Sequence, residues 1–238
     1  MSRPLAHLPA STRHGALTVE LVASPAALAE VYRLRRRIYV DELGVLGPDH
    51  PFVDGDALRD PYDAYSHQLL LREDGRPIGT LRLTVAAYGP LELEAYTDAP
   101  IGSDRQVAEG TRFMVSRASR RGPGARLLIL AAYRHLRTIG VHRVICAGKV
   151  GNLGRYYANV GFARLSSESF TYDLVGPARY ELLGVELGAP GSLAWLKWRV
   201  VVPVLCTLAF RLPALGDQWF RRGFSEQGGW AARRSAGA

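Results

Sequence analysis

The segment from Val107 to Arg137 reads VAEGTRFMVSRASRRGPGARLLILAAYRHLR and contains a strand, a turn and a helix in succession. The apolar residues over Val107–Ser116 are typical of a strand. Arg120–Gly124 is basic and rich in glycine, which indicates a turn. Apolar residues then recur at helical spacing over Ala125–Thr138, and Gly140 ends the helix. Because this pattern is half of a βαβ crossover, it predicts an α/β fold with a mixed sheet.

The chain on either side of this segment adds elements that fit the same fold. Ser24 and Pro25 form a typical helix start, and apolar residues recur at helical spacing through Tyr39. Residues 44–63 are rich in Gly, Pro and Asp, which predicts a long loop. The other predicted elements are strands over Leu17–Val22, Gln68–Arg72, Ile78–Ala86 and Val144–Gly148, and a short helix over Asn152–Asn159.

The composition is that of a globular protein. Of the 238 residues, 47% are hydrophobic and 22% are charged, which excludes wholesale disorder. The two cysteines, Cys146 and Cys206, cannot form a disulfide framework, which favours a cytoplasmic location. Residues 1–16 contain no apolar stretch typical of a signal peptide. The uncharged stretch Val200–Phe210 is too short to cross a bilayer, which needs about 20 residues.

The charge is divided unevenly along the chain. Thirty basic and 22 acidic residues give a net charge of +8, which suggests a polyanionic partner. Residues 41–109 contain 14 acids and 5 arginines, whereas residues 110–167 contain 11 basic residues and no acid. Solvated surfaces of opposite sign are the simplest explanation. Nucleic acid is the least supported partner, because the arginines are dispersed over several elements and no recognition motif is present.

The glycine-rich turn has the chemistry of an anion site. Backbone N–H groups at a helix N-terminus bind anions, and Arg117, Arg120, Arg121 and Arg126 add positive charge. A phosphate fits such a turn, although the Gly-Lys-Ser/Thr of a Walker loop and the third glycine of a dinucleotide-binding fingerprint are missing. An ordinary exposed basic turn explains the same residues equally well.

Together with this turn, residues 152–162, Asn-Leu-Gly-Arg-Tyr-Tyr-Ala-Asn-Val-Gly-Phe, resemble the GNAT acyltransferase superfamily. In that superfamily the turn holds a phosphate of an acyl carrier, and a later short helix supplies an Asn and a Tyr. The turn departs from the usual form at Ser119, where a Gln or Arg is expected, and Arg120 and Arg121 are candidates to replace it. The acyl-donor-binding residues expected on this basis are Phe113, Met114, Val115, Arg120, Arg121, Gly122, Gly124, Ala125, Asn152, Tyr156 and Tyr157.

A series of short motifs narrows this resemblance. Over about residues 17–175, their order and spacing resemble the acyl-homoserine-lactone (autoinducer) synthases, the related N-acyl amino acid synthases and the ornithine-lipid N-acyltransferases. One departure is Val45, where autoinducer synthases often have Trp, and His67 suits the relatives that acylate amino acids or ornithine. The motifs are Arg35 with Tyr39, Asp60-Pro-Tyr-Asp63, Gly79-Thr-Leu-Arg82, and Glu109 with Arg112.

The resemblance implies a site for N-acylation. The amine must lose a proton as it attacks a thioester carbonyl, and a carboxylate can take that proton. Glu109 is the candidate base, while Asp60 and Asp63 could hold a cationic acceptor whose carboxylate binds Arg82 or Arg112. An internal Arg–Asp network that ties the long loop to the sheet is the alternative. The expected catalytic residues are Glu109, Asp60, Asp63, Arg82 and Arg112, and the expected substrate-binding residues are Arg35, Tyr39 and His67.

Strand geometry separates two of these residues. Residues two apart share a face of a strand, so that Glu109 and Thr111 point together and Arg112 points away unless a bulge intervenes. Backbone N–H groups near residues 113–115 could polarise the thioester carbonyl. No arrangement of Cys, Ser or His suggests a covalent intermediate, and no Cys/His cluster has metal-ligand spacing. We therefore predict direct transfer, with no metal and no permanently bound cofactor.

The sequence thus predicts a GNAT-like N-acyltransferase that moves a fatty acyl group from acyl-carrier protein or acyl-CoA to an amino-acid-like amine. A short-chain acetyl-CoA-dependent N-acetyltransferase and a non-catalytic membrane-peripheral protein of the same fold are the alternatives. An acidic carrier protein is expected to dock on the basic segment 112–143.

Four regions are expected along the chain. They are a disordered leader (1–16), the acyltransferase domain (17–180), a helical appendage rich in Trp and Arg (181–225), and a disordered tail (226–238). Residues 189–238 contain all four Trp and carry a net charge of +5. Such a segment suits a peripheral membrane contact through residues 192–224, and a helix that packs on the domain is the alternative.

Overall fold

A computed structural model describes residues 2–10, 14–120, 122–150, 157, 161–172 and 178–188. The helices are α1 (Pro25–Arg36), which continues as a π-helix (Arg37–Glu42), and α2 (Gly124–Thr138). Short 3₁₀ turns lie at Pro61–Tyr65, Glu92–Ala95 and Arg117–Ser119. The strands are β1 (Arg3–Leu8), β2 (Leu17–Leu21), β3 (Val53–Asp54), β4 (Ala57–Leu58), β5 (His67–Glu73), β6 (Arg76–Val85), β7 (Val107–Val115), β8 (Arg143–Lys149), β9 (Ala163–Thr171) and β10 (Arg179–Glu186).

Eight strands form one mixed sheet in the order β1-β2-β5-β6-β7-β8-β10-β9. Within the described sheet, β7 and β8 are the one parallel pair, and their pairing ends at Glu109 and Ile145. β7 continues to Val115 and β8 to Lys149, and all of these residues are described, but the two strands form no further pairs with each other. The sheet therefore opens between β7 and β8 from Glu109 onward.

Helices cover both faces of the sheet. On one face, Leu128 and Leu136 of α2 are buried in the same core as Leu69 and Leu71 of β5. On the other face, Leu70 packs with the apolar side of α1. Neighbouring residues of a strand point to opposite faces, so these three consecutive leucines can all be buried only in a sheet that is covered on both sides.

The predicted mixed α/β fold is confirmed, and the predicted strands and helices that the structure describes begin and end near the predicted residues. Strands β1, β3, β4 and β10 were not predicted. Ser24 caps α1 by accepting a hydrogen bond from the backbone N–H of Ala27 at 3.2 Å. The predicted loop over residues 44–63 is irregular except for the β3–β4 hairpin and the turn that starts at Pro61. None of the helices in the described part of the chain is long and apolar enough to cross a membrane.

Two predicted boundaries are wrong. Residues 3–8, predicted as part of a disordered leader, form β1, which pairs with β2 and buries Ala6 against the core. The predicted domain end at residue 180 falls inside β10, which pairs with both β8 and β9. The predicted appendage and tail from residue 189 onward lie outside the described residues, as does the predicted helix over 152–159 except for Tyr157.

The packing of α2 on the sheet encloses two imidazoles. The rings of His135 on α2 and His67 on β5 lie 4.7 Å apart between their centroids. Neither nitrogen of His135 has a hydrogen-bond partner among the described residues, and the same holds for Nε2 of His67. Burial lowers the pKa of both imidazoles, and the pKa of His135 falls to about 4. Both rings are therefore neutral in the folded protein at pH 7.

We expect the free energy of unfolding to fall as the pH drops from about 6.5 toward 4, because the unfolded chain then binds protons that the folded imidazoles do not. Over this pH range, the free energy of unfolding of a His135→Leu variant should fall by about 1–2 kcal/mol less than that of the wild type. Urea unfolding at a series of pH values measures the difference. Above about pH 7.5 the difference should not depend on pH. An equal acid loss in both proteins would contradict a neutral, buried His135.

Candidate active site

Three arginines point into one buried region between the sheet and α1. Arg35 comes from α1, Arg82 from β6 and Arg112 from β7, and at most 5% of each residue is exposed. A guanidinium group stays charged in a protein, so burial on this scale requires partners that carry negative charge. The fold must therefore bring carboxylates to the same place.

Two of these carboxylates come from the sequence Asp-Pro-Tyr-Asp, which folds as a capped turn. Asp60 accepts a hydrogen bond from the backbone N–H of Tyr62 at 3.0 Å, and Asp63 accepts one from the backbone N–H of Asp60 at 2.9 Å. Pro61 suits the first position of such a turn. The cap fixes both side chains in the interior, where each is less than 9% exposed.

The third carboxylate is that of Glu92, and no sequence motif pointed to it. Glu92 lies in the short turn after Gly89-Pro90 and is 1% exposed. Its Oε1 accepts a hydrogen bond from Nη2 of Arg112 at 2.9 Å, and its Oε2 accepts one from Arg82. Glu92 thus joins two of the arginines across the sheet.

The pairs form one continuous network. Arg35 donates to Asp63 Oδ1 at 2.7 Å, and Arg112 donates through Nη2 to Asp60 Oδ2 at 2.6 Å. Arg82 donates to Asp60 as well. Burial raises the pKa of Asp60, but Arg112 and Arg82 outweigh burial and hold it below its usual value. Three guanidinium groups are thereby matched by three carboxylates.

A bulge in β7 turns Arg112 into the network. Thr80 pairs with Met114 and Arg82 pairs with Thr111, so β7 contains one more residue than β6 between these pairs. Arg112 adopts a φ of +52°, which is strained for a side chain other than glycine. The expectation that Arg112 points away from Glu109 and Thr111 is therefore wrong, because regular alternation ends at the bulge.

Glu109 is the fourth carboxyl group of the site, and it forms no ion pair with a cation in the described part of the chain. Its Oε2 accepts a hydrogen bond from the backbone N–H of Glu92 at 2.6 Å, while Oε1 has no partner among the described residues. Burial and the neighbouring Glu92 raise the pKa of Glu109 to about 8. A carboxyl group with this pKa exchanges a proton near neutral pH, which a general base requires.

Three further polar residues complete the network, and alternation along the strands could have indicated two of them. Gln68 accepts from Arg35 at 2.5 Å and donates to Asp63 at 2.9 Å. Thr111 accepts from Nε of Arg82 at 2.8 Å. Gln68 shares a strand face with Leu70, and Thr111 shares one with Glu109. Tyr172, whose Oη lies 3.2 Å from Nη1 of Arg112, is distant in sequence and carried no signal.

Aromatic rings cover the network on one side. Tyr172 contacts Tyr180 and Tyr96, with ring centroids 5.8 and 5.0 Å apart. Tyr39, predicted to bind substrate, is buried with Leu46 and Leu58, and the nearby Arg112 and Arg35 only partly offset the rise that burial causes in its pKa. Tyr39 therefore lies beside the arginines, as the spacing of four residues from Arg35 predicted.

His67 does not join the network. It lies on the α2 face of the sheet with Leu69 and Leu71, whereas Gln68 points to the α1 face. The prediction that His67 binds substrate together with Arg35 and Tyr39 therefore disagrees with its position. The reason is the two-residue period of a strand, which places neighbours on opposite faces.

An apolar cleft lies on the α2 face, where β7 and β8 part. The space between its lining residues, together with the open solvent at its mouth, amounts to about 620 Å³. Cys146 lines it from β8, and burial raises the pKa of this thiol, so the sulfur stays protonated. The other lining residues, nearly all apolar, are Leu81, Leu83, Gly110, Phe113, Ile129, Ala132, Tyr133, Leu136, Val144, Tyr157, Phe162, Val185 and Leu187.

The basic turn precedes α2 as predicted. The cap position of α2 is Pro123, no side chain caps the helix, and its first turn contains no acid, so its first backbone N–H groups suit an anion. Gly124 is required there, because a Cβ atom would lie 2.6 Å from Leu71. Arg120 donates to the carbonyl of Val115 at 2.9 Å and to Glu42 at 3.3 Å.

The structure brings together only part of the predicted donor site. Phe113 lines the cleft, and Met114 and Val115 pair with β6. Gly122 and Ala125 lie at the start of α2, and Tyr157 contacts Phe162 with ring centroids 5.4 Å apart. Arg121, Asn152 and Tyr156 lie outside the described residues. Among the described residues, no group of three or more His, Cys, Asp or Glu could hold a metal ion.

Loss of one network arginine should strongly lower the free energy of unfolding of the protein. An Arg82→Met variant leaves Asp60 and Glu92 to share Arg112 alone, so the buried network keeps one carboxylate charge uncompensated. We expect this variant to lose about 3–5 kcal/mol of unfolding free energy. The matched control is Arg59→Met, whose pair with Asp54 is 62% and 70% exposed and should matter by less than about 1 kcal/mol. Urea unfolding at pH 7 compares the two variants. Equal losses would show that the network does not hold the fold together.

The comparisons with known proteins agree with this architecture. No curated protein sequence matches the chain. BjaI, described as a CoA-dependent acyl-homoserine lactone synthase, has a similar fold, with 21% identity and a TM-score of 0.59 over 77% of this chain and 83% of BjaI. The AHL synthase LasI is similar at 20% identity and a TM-score of 0.58, over 75% of this chain and 93% of LasI. An acetyltransferase of the GNAT family from Streptococcus pneumoniae is similar at 16% identity and a TM-score of 0.50, over 72% of this chain and 99% of that protein.

The similarity to these solved structures shows the fold of the chain. The family to which the chain belongs is shown by a match of its sequence. The family described as N-acyl amino acid synthase FeeM matches residues 30–184, which is well over half of the chain. The match includes the whole buried network from Arg35 to Tyr172 and confirms the resemblance drawn from the motifs. The chain therefore belongs to the N-acyl amino acid synthase FeeM family and is an acyltransferase.

Proposed function

We propose that the chain transfers a fatty acyl group from a phosphopantetheine thioester to the amine of an amino-acid-like acceptor. The observation that carries the proposal is Glu109, a buried carboxyl group without a cation at the point where β7 and β8 part. The polar network lies on one face of these strands, and the apolar cleft lies on the other. A base between a polar and an apolar compartment suits the joining of an amine to a fatty acyl thioester.

The proposed step is a direct attack. The amine nitrogen attacks the thioester carbonyl carbon, the C–N bond forms, and Glu109 takes the amine proton directly or through a water molecule. The C–S bond then breaks, and the thiolate leaves and is protonated by the Glu109 carboxylic acid or by water. The edge of β7 beyond Glu109 is not paired with β8, which leaves backbone groups free to polarise the carbonyl. A protonated Cys146 favours this route over an acyl-cysteine.

The donor would bind along the opening between β7 and β8. We assign its phosphate to the uncapped N-terminus of α2 and to Arg120, and its acyl chain to the apolar cleft beyond Gly110. The exposed arginines of the turn and α2, such as Arg117 and Arg134, favour an acidic carrier protein as the donor. Acyl-CoA offers the same phosphopantetheine arm, so both donors belong in every assay.

For the buried acids we propose a role other than the direct binding of a cationic acceptor. Arginines already bind Asp60 and Asp63, and neither side chain is more than 4% exposed. We therefore propose that these two acids, with Arg35, Arg82 and Arg112, are positioning residues that fix the loop and Glu109. This favours the internal Arg–Asp network over direct binding of a cationic acceptor.

Substitution of Glu109 tests the base. We expect kcat/KM of the wild type to rise tenfold per pH unit up to about pH 8, because only the ionised carboxylate accepts the proton. A Glu109→Gln variant should lose about 10²- to 10⁴-fold in kcat and no longer show this pH dependence. Binding of CoA and circular dichroism control for an intact donor site and fold. Full activity in the variant would remove Glu109 as the base.

Acyl chain length separates the proposal from a short-chain acetyltransferase. With a panel of amines and with acyl-carrier-protein and CoA thioesters of two to sixteen carbons, we expect long-chain donors to react at least about tenfold faster than acetyl donors, since each buried methylene contributes about 0.8 kcal/mol. Mass spectrometry of lipid extracts from a bacterial host that expresses the protein identifies the acyl group and the acceptor from one ion.

A variant that fills the cleft provides the matched control. Cys146→Phe should shorten the preferred acyl chain while transfer from the shortest donors persists, because the added ring takes up space in the cleft. A preference for acetyl-CoA in the wild type would favour the short-chain alternative. The absence of transfer from every donor to every amine would refute the proposed function.

A further inference from the structure

One acidic side chain reaches the turn that we assign to the donor phosphate. Oε2 of Glu42, the last residue of the π-helix, accepts a hydrogen bond from the backbone N–H of Arg117 at 2.7 Å. The same oxygen lies 3.3 Å from Nη2 of Arg120. A main-chain N–H and a guanidinium group are the donors that commonly bind a phosphate oxygen.

We propose that Glu42 is an internal anion, which occupies part of the phosphate site in the free protein and which the donor phosphate displaces. The inference rests on the proposed function, because it needs a donor whose phosphate binds this turn. It assigns to Glu42 the control of donor affinity, which neither the motifs nor the network suggested.

The position of Glu42 fits displacement. Glu42 is separated from Arg117 and Arg120 by more than seventy residues of sequence, so its contacts with the turn are tertiary contacts. Its side chain is 19% exposed and that of Arg120 is 21% exposed, so the pair lies at the edge of solvent where a ligand can reach it. The chain turns directly after Glu42, with Gly44 at a φ of +58°. π-helices occur frequently at functional sites.

A second acid at the turn has a different kind of contact. Glu73 accepts from the hydroxyl of Ser119 at 3.2 Å, and its other oxygen accepts the backbone N–H of Gly15 at 3.3 Å. Glu73 thus binds a neutral hydroxyl and joins two neighbouring loops, as a structural residue does. Glu42 instead combines the main-chain N–H and the arginine that a phosphate would use.

Displacement would also reach the network. The segment after Glu42 ends at Asp60, whose carboxylate binds Arg82 and Arg112. This segment is therefore held at the phosphate turn by one end and at the buried arginines by the other. When the donor displaces Glu42, this end of the segment is released from the phosphate turn, while Asp60 stays bound to the buried arginines. Donor binding thereby affects the position of the long loop.

The alternative role for Glu42 predicts the opposite result. If its carboxylate merely orients Arg120 for the phosphate, removal of the charge weakens donor binding. If Glu42 competes with the phosphate, removal of the charge strengthens donor binding, because the ligand no longer displaces an anion. Affinity for the donor therefore distinguishes the two roles by its sign.

The experiment compares the full-length wild type with Glu42→Gln by calorimetric titration with CoA and with holo-acyl-carrier protein. We expect Glu42→Gln to bind about three- to tenfold more tightly, as expected for a partly exposed charge pair. The KM for the acyl donor should fall by the same factor at unchanged kcat. Glu42→Ala gives a second variant in case the glutamine retains the contact.

Asp41→Asn is the matched control. It removes the same charge from the adjacent residue of the π-helix, but Asp41 pairs with Arg36 at 2.7 Å and does not contact the turn. We expect its donor affinity to change by less than about twofold. An equal gain in Asp41→Asn and Glu42→Gln would overturn the proposal, because general electrostatics would then explain both.

Two other outcomes separate this inference from the proposed function. If the wild type binds a donor and both Glu42 variants bind it no more tightly, the displacement proposal is wrong and the proposed function stands. If neither donor binds to the wild type or to any variant, the donor site itself is wrong, and the proposed function falls together with this inference.

Discussion

Three buried arginines determine how α1, the central sheet and two loops of this protein pack together. A guanidinium group in the interior has to be paired, and Arg35, Arg82 and Arg112 come from three separate elements. Their carboxylate partners come from short 3₁₀ turns in two loops. Because the desolvation of such groups offsets much of their attraction, we regard the network as a source of uniqueness more than of net stability. It permits one arrangement of loop, helix and sheet.

The same balance of charge creates the reactive group. Three carboxylates neutralise three arginines, and Glu109 is left over in a site too dry to ionise it easily. Burial is the main cause of its raised pKa, and the negative charge of the neighbouring Glu92 raises this pKa further. The strand that carries Glu109 also parts from β8 at this residue, so a base near neutral pH lies where the sheet opens toward an apolar cleft. Charge balance and sheet topology act on the same residue.

Periodicity in the sequence was enough to predict the central strands and α2, and the short motifs of the family resemblance pointed to most of the residues that gather around Glu109. It could not predict the bulge at Arg112, because a bulge depends on pairing with β6. Glu92 escaped prediction because its turn has no period and no motif. His67 was predicted to bind substrate from the family resemblance alone, and a motif does not indicate which face of the strand its side chain occupies. Residues 1–16 contain Pro, Ser, Arg and Gly and show no period, so the short strand β1 within them was predicted as part of a disordered leader, although it pairs with β2.

The acidic segment 41–109 and the basic segment 110–167 do not correspond to two separate charged surfaces in the folded protein. Four of the acids between residues 41 and 109 are buried, and three of them bind arginines, so these three are not free to bind an amine. One of those arginines, Arg112, belongs to the basic half, which therefore neutralises the acids with its own charge. Arg117 at the turn and Arg134 on α2 are exposed, and an anionic donor can reach them. Glu42 is the acid that contacts both a main-chain N–H and an arginine there, so it holds the place of the ligand that the positive charge favours.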